Sequence, residues 1–363
     1  MHGRHRWVNL VVTTGLVLGA GLGAGQGAGA TDGQREVTVM TQNLYLGSSL
    51  QPALTATNAG EFLIAVATIY NTAVFTDFPA RAEAIAEEIE DADPDLIALQ
   101  EVSNWVVTRP PAPAPVEEID FLRILLDELD ARGLSYEEAG TSDNANIGPL
   151  PLIAGSTGIP ACQTAGCFVT LHDRDVILIN DRSGLTASNP IDESYQAQQL
   201  FRPPIPNAPA VSFDRGWVSV DVRLDGDQFR FFNTHLEVAD FPRVQEQQAL
   251  ELLAIVQAVQ GPVIVAGDFN SAADGSTTPT YGLLTGTLTD AWLAARRNPA
   301  YTCCQNDTLS NHQSMLDERI DLVLIRGSVR ALHADRISDK RFEKTPPLWP
   351  SDHAGVVATL QLT

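Results

Sequence analysis

The sequence predicts an α/β fold built as a four-layer α/β/β/α sandwich: two mainly antiparallel β-sheets packed face to face, with helices outside. Three observations predict it. Short apolar, β-branched runs outnumber amphipathic helical stretches along the 363 residues. Several of those runs are joined by short turns, which makes them antiparallel neighbours. Apolar residues make up 44% of the chain, enough for a sizeable core, and no internal repeat divides it.

In chain order, residues 37–40 read as the first strand, and 61–72 and 79–92 as helices. The second helix places Ala82, Ile85, Ala86 and Ile89 on one face and acids on the other. Asp93-Pro94-Asp95 stops it, and 96–99 returns as a buried strand. Residues 102–118 contain Arg109-Pro110-Pro111-Ala112-Pro113-Ala114-Pro115 and read as an extended proline-rich loop, either overhanging Glu101 or serving as a plain linker. An amphipathic helix follows at 119–131. Residues 140–166 are rich in Gly, Pro, Ser and Asn and read as a long loop. Residues 175–180 read as a strand, and 217–224 and 229–233, joined by Asp225-Gly226-Asp227, as a hairpin. A helix at 243–259, a strand running into Asp268, a short helix near 288–296 and strands at 320–325 and 356–360 complete the chain.

Polar residues gather at the strand ends. Val263-Ile264-Val265-Ala266-Gly267 leads into Asp268-Phe269-Asn270. Two positions apart on a strand share a face, so a carboxylate and an amide leave together, and the glycine admits a close neighbour. Such a pair suits binding a metal or polarising a water. Asn233-Thr234-His235 ends another apolar run, Asp321 opens one, and Asp352-His353 precedes the last. Near the front, Asn43 follows the first strand and Glu101 ends the 96–99 strand.

Taken together and in this order, these stretches resemble the endonuclease/exonuclease/phosphatase superfamily of metal-dependent phosphoesterases, over about residues 37–360. The resemblance implies a DNase I-like fold with the site at one mouth of the sandwich, and hydrolysis of a phosphate ester by metal-assisted attack of water. Matched to the family pattern, Glu101 is the principal metal carboxylate, with Asn43 beside it. Asp268 activates the attacking water, Asn270 orients phosphate or water, and His353 contacts the phosphate. Asp352 and Asp321 orient that histidine or bind metal. His235 resembles the leaving-group acid of the deoxyribonuclease and sphingomyelinase branches, with Asp173 or Asp175 as its expected partner. Oxygen ligands of this kind suit Mg2+, or Mn2+ or Ca2+. Abasic-site endonucleases carry an acid soon after the first asparagine; here Leu44-Tyr45-Leu46 follows Asn43, which argues against that branch.

Residues 1–30 read as a signal peptide: a basic start with Arg4 and Arg6, an apolar stretch at 8–22 and a small-x-small end at Ala28-Gly29-Ala30. The expectation is a secreted single domain at 31–363 with no membrane anchor, acting as a monomer. Formal net charge is −22, and removal of Arg4 and Arg6 makes it more acidic. Such a surface repels phosphate backbones at long range, although bound cations change the local field. The substrate is therefore expected to be a phospholipid head group, as in sphingomyelinase or phospholipase C, in preference to nucleic acid; a secreted DNase I-like endonuclease is the alternative. A non-catalytic binding protein on the same fold is a third reading, disfavoured because every expected polar position is filled. The lipid reading implies transient contact with a membrane surface through an exposed aromatic near the site, Trp105 or Trp349. Cys162, Cys167, Cys303 and Cys304 predict disulfides in an exported protein, with three full pairings open.

Overall fold

The computed structural model describes residues 35–111, 114–296 and 300–363; the leader read at 1–30 lies outside the described residues. The first half contains β1 (Arg35–Asn43), α1 (Gln51–Leu54), α2 (Ala59–Phe75), α3 (Phe78–Ala92), β2 (Leu96–Gln100), β3 (Asn104–Thr108), β4 (Pro115–Asp120), α4 (Phe121–Ala131), β5 (Tyr136–Leu152) and β6 (Cys167–Asn180). There follow β7 (Thr186–Ser194), β8 (Gln199–Phe201), β9 (Val211–Phe213), β10 (Gly216–Leu224), β11 (Asp227–His235), α5 (Pro242–Ala258) and β12 (Val263–Asp268). The chain ends with α6 (Thr280–Thr285), β13 (Thr289–Asp290), α7 (Ala291–Ala295), β14 (Asp321–Arg326), β15 (Val329–Ile337) and β16 (Gly355–Leu362).

Two large sheets form. One runs β15-β16-β1-β2-β6-β3-β4, with β5 also paired to β6; the other runs β13-β14-β12-β11-β10-β7. Pairing is antiparallel except between β1 and β2 and between β11 and β12. Each parallel pair is bridged by helix, α2–α3 in the first case and α5 in the second, as a parallel connection requires. Strand alternation then sorts the apolar side chains into three cores. Leu96, Ala98, Ile264 and Ala266 point between the sheets. Ile97 and Leu99 point outward against α2, α3 and α4. Val263 and Val265 point outward against α5. Three cores between four layers give the sandwich the sequence predicts.

Side chains cap the starts of α2, α4 and α7. Asn58 accepts from Glu61 N at 3.0 Å ahead of α2, and Asp120 accepts from Leu122 N at 3.1 Å ahead of α4. The 225–227 turn is tight because Asp225 and Gly226 both adopt positive φ, at 48° and 96°.

Two loop readings are overturned. Residues 104–108 and 115–120 pair as the β3–β4 hairpin, with Pro110 and Pro111 just beyond β3. Much of 140–166 belongs to β5, which pairs with β6 through three register shifts. Those bulges absorb the irregular Gly/Pro composition. Gly140 is required there by contact, because a Cβ would press on Val218 of β10. The strand read at 175–180 begins earlier, at Cys167, so Asp173 and Asp175 lie within β6.

Candidate active site

The topology delivers the polar strand ends to one mouth. The parallel pair β1–β2 ends side by side at Asn43 and Gln100. The parallel pair β11–β12 ends side by side at His235 and Asp268. Strand β14 runs antiparallel to β12, so its first residue, Asp321, lies directly opposite Asp268. Strand β16 runs antiparallel to β1, so the Asp352-His353 pair just before it arrives beside Asn43. Beyond the strands the chain turns sharply: Tyr45, Glu101 and Asn270 all have positive φ, at 60°, 55° and 49°. Non-glycine residues hold that conformation only where surrounding contacts enforce it. Asn270 thus reaches its place by a left-handed turn, not by strand alternation. Gly267 admits the approach of β11, since a Cβ would run into the Thr234 carbonyl oxygen.

Glu101, His235, Asp268, Asn270, Asp352 and His353 line one cleft of about 580 Å3. Asp268 sits at its floor, 1% exposed. Its Oδ2 accepts from Asn43 Nδ2 at 3.1 Å and lies 3.4 Å from His235 Nε2 and 3.8 Å from His353 Nε2. Its Oδ1 accepts from Asn270 N at 2.9 Å. Burial pushes this carboxyl up to about 7, against the pull of His353. Asp352 is likewise raised to about 7 by burial.

The two histidines sit in opposite fields. His353 Nδ1 lies 2.9 Å from Asp321 Oδ2. Burial works against its charge, but Asp321, Asp352 and Asp268 outweigh burial and hold its pKa well above the ordinary value. His235 has Arg215 at Nδ1, 2.9 Å away. A guanidinium only donates, so Nδ1 accepts; at Nε2 the ring meets the Asn270 amide nitrogen at 3.0 Å and Asp268 Oδ2 at 3.4 Å. Burial first, then Arg215 and His353, drive the His235 pKa well below the ordinary value.

The structure therefore does not give His235 the acidic partner expected from the sequence. Asp173 and Asp175 are buried nearby on β6, and they face Arg215. Burial raises Asp173 to about 7 and Asp175 well above the usual carboxylate range. Arg215 itself is held charged by Glu237, Asp173, Glu101 and Asp175, which outweigh its burial. Sequence reasoning missed Arg215 because a single arginine before Gly216-Trp217 belongs to no motif. Asn233 carries structure: its amide donates to Leu99 O at 2.8 Å and Val176 O at 2.9 Å, and its oxygen accepts from Gln100, tying the two sheets beneath the site.

The donor set fits a hard divalent cation. Carboxylate oxygens of Asp268 and Asp321 lie within 4.8 Å of each other, Asp321 Oδ1 is buried with no hydrogen-bond partner, and Asp352 lines the cleft beside them. Glu101 opens onto the same cleft, fixed by Leu46 N donating to Oε2 at 2.7 Å. Cysteine pairing is between neighbours: Cys162 with Cys167, and Cys303 with Cys304. The second pair borders the site, its sulfurs 3.7 and 4.0 Å from His353 Nε2. Neither tryptophan offered for membrane contact is exposed. Trp105 donates to Leu46 O and Trp349 to Asn311 O, at 2.8 and 2.9 Å, and both are buried.

No curated protein sequence matches the chain. Solved structures share its fold. An endonuclease/exonuclease/phosphatase family protein from Bacteroides thetaiotaomicron aligns with TM-score 0.55 at 16% identity, over 91% of this chain and 96% of that one. A mannosyl-6-phosphatase from the same organism aligns with TM-score 0.54 at 17% identity, over 89% and 99%. A family protein from Leptotrichia buccalis gives 0.54 at 16%, over 89% and 99%. The model of the Endonuclease/Exonuclease/phosphatase family matches residues 41–353. That span opens at the Thr41-Gln42-Asn43 strand end and closes on His353, and by it the chain belongs to the endonuclease/exonuclease/phosphatase family.

Proposed function

We propose that this protein is a secreted phosphodiesterase that works with a bound divalent cation, Mg2+ or else Mn2+ or Ca2+, on a diester bearing a lipid head group. The observation that carries the reading is Asp268, a buried carboxylate oriented by Asn43 and Asn270 between two histidines of opposite electrostatic character. A cation held by Glu101, Asn43 and Asp352 would supply charge neutralisation at the phosphoryl oxygens. Asp268 orients the attacking water and accepts its proton. His353, kept protonated by Asp321, donates to a phosphoryl oxygen. His235 faces the departing oxygen through Nε2, and the Asn270 amide, 3.0 Å from that nitrogen, holds the ring in place. The acidic chain favours a lipid over a polyanion. Exposed Phe241 at the cleft supplies the apolar rim that the buried tryptophans do not.

The test offers purified protein sphingomyelin, phosphatidylcholine, plasmid DNA and a hexose 6-phosphate in parallel. Lipid hydrolysis is expected, lost on chelation and restored by Mg2+ or Mn2+. Asp268→Asn should lower turnover about 10²–10⁴-fold, the scale of general base catalysis. Preferential DNA cleavage would establish the nuclease reading instead, and full activity after exhaustive EDTA treatment would remove the cation.

A further inference from the structure

A second cavity opens beside the catalytic cleft. It lies between α1, α2 and the β8–β9 hairpin, with a volume of about 50 Å3. Its walls include Phe62 and Val66 of α2, Trp105 of β3 and Leu171 of β6, and every lining residue is hydrophobic. The sole side-chain polar group there, the Trp105 indole N–H, is already committed to Leu46 O. Leu50, Leu54, Phe201 and Phe213 line both this cavity and the catalytic cleft, and all four are half-buried. They form the threshold between the two spaces. On the far side, Leu50 and Phe213 also border Glu101, Asp173 and Arg215. The hairpin carrying Phe201 and Phe213 is a separate two-stranded sheet, bonded to neither large sheet. Its phenyl rings pack on each other at 6.4 Å, and Phe201 stacks on Phe62 at 6.3 Å.

An apolar cavity with no polar partner holds water poorly, and its walls forgo dispersion contacts. An alkyl group entering it would restore those contacts while leaving water. We propose that this cavity is a substrate subsite for the first carbons of an alkyl chain attached to the phosphoester, and that Leu50 and Phe213 set the enzyme's preference for apolar esters. The proposal rests on the phosphodiesterase reading and narrows its substrate class. At roughly 10–15 Å3 per water-sized group, the cavity accepts about four methylenes.

The experiment uses n-alkylphosphonates from methyl to decyl, which bind without turning over, titrated calorimetrically into the full protein with Mg2+. Affinity should rise about three- to fourfold per methylene, the value of burying one, up to about butyl or pentyl, and then level off. Ala53→Leu, which fills the cavity from α1, should flatten the series while leaving methylphosphonate affinity within about twofold, and Phe213→Ser should flatten it as well. A flat wild-type series, no binding by any member, or an unchanged slope in both variants would overturn the proposal. Chain-length-dependent binding with no hydrolysis of any diester would sink the phosphodiesterase reading and keep the subsite. Hydrolysis indifferent to chain length would do the reverse.

Discussion

Two imidazoles about one carboxylate define the chemistry at the scale of single residues. His235 is buried against Arg215, and His353 against Asp321. Their pKa values are pushed apart, the first down and the second up. In the metal-free protein at pH 6.5, ¹⁵N NMR should therefore show His235 neutral and His353 as an imidazolium. A charged His235 would show that Arg215 does not govern it. Substitution tests the same division. His235→Ala should cut turnover of a natural diester by about 10²-fold or more, and should be partly rescued by a nitrophenyl ester whose leaving anion is stable without help from the ring. His353→Ala should lose both. The sequence told which residue types meet, because strand-end Asn, Asp, Glu and His are distinctive in their order. It did not tell who pairs with whom: Arg215 lies in no motif, and the proximity of Cys303 and Cys304 to His353 comes only with the fold.

At the scale of elements, α3 does more than pack a sheet. Its Arg81 is fully buried and donates to the carbonyls of Leu44, Tyr45 and Pro350. Those carbonyls belong to the turns that follow Asn43 and precede Asp352. The guanidinium also lies over Phe78 and Phe121, at 4.8 and 5.5 Å from their ring centres. One side chain thus fixes two site-bearing loops from below. Arg81→Met would strand three buried carbonyls, and should cost about 3 kcal/mol in urea denaturation together with weaker cation binding. A loss below about 1 kcal/mol would mean that the loops hold themselves. The helix was legible from its Ala82, Ile85, Ala86 and Ile89 stripe; the interior arginine was not, since in a stripe it reads as solvent-facing. The same logic explains the missed strands. Strand β7 is largely exposed at a sheet edge and shows no apolar alternation, and β5 hides its pairing behind bulges. Sequence periodicity reports burial, so elements that are structured without being buried escape it.

Over the whole molecule, charge is concentrated where it is most costly. The formal net charge is −22, and four carboxyls at or near the cleft have raised pKa: Asp173, Asp268 and Asp352 to about 7, and Asp175 well above the usual carboxylate range. A carboxyl with a folded pKa above its unfolded value of about 4 binds more protons folded than unfolded between those limits. Its contribution to stability is complete below about pH 4 and is lost as pH rises toward 7. His353, raised, acts in the same sense; His235, lowered, opposes it below about pH 6.5. Four carboxyls and one histidine against one histidine set the sign, and self-repulsion of an acidic chain adds to it. The melting temperature in EDTA should accordingly fall between pH 5 and 7.5, against the usual trend of acid destabilisation. Millimolar Mg2+ or Ca2+ at pH 7.5 should recover most of the difference, because a cation bound by the ionised carboxylates stabilises only the folded chain. A cation without effect at pH 7.5, with the EDTA trend intact, would separate the buried acids from metal binding. A melting temperature that rises from pH 5 to 7.5 in EDTA would show that these carboxyls are ionised in the free protein.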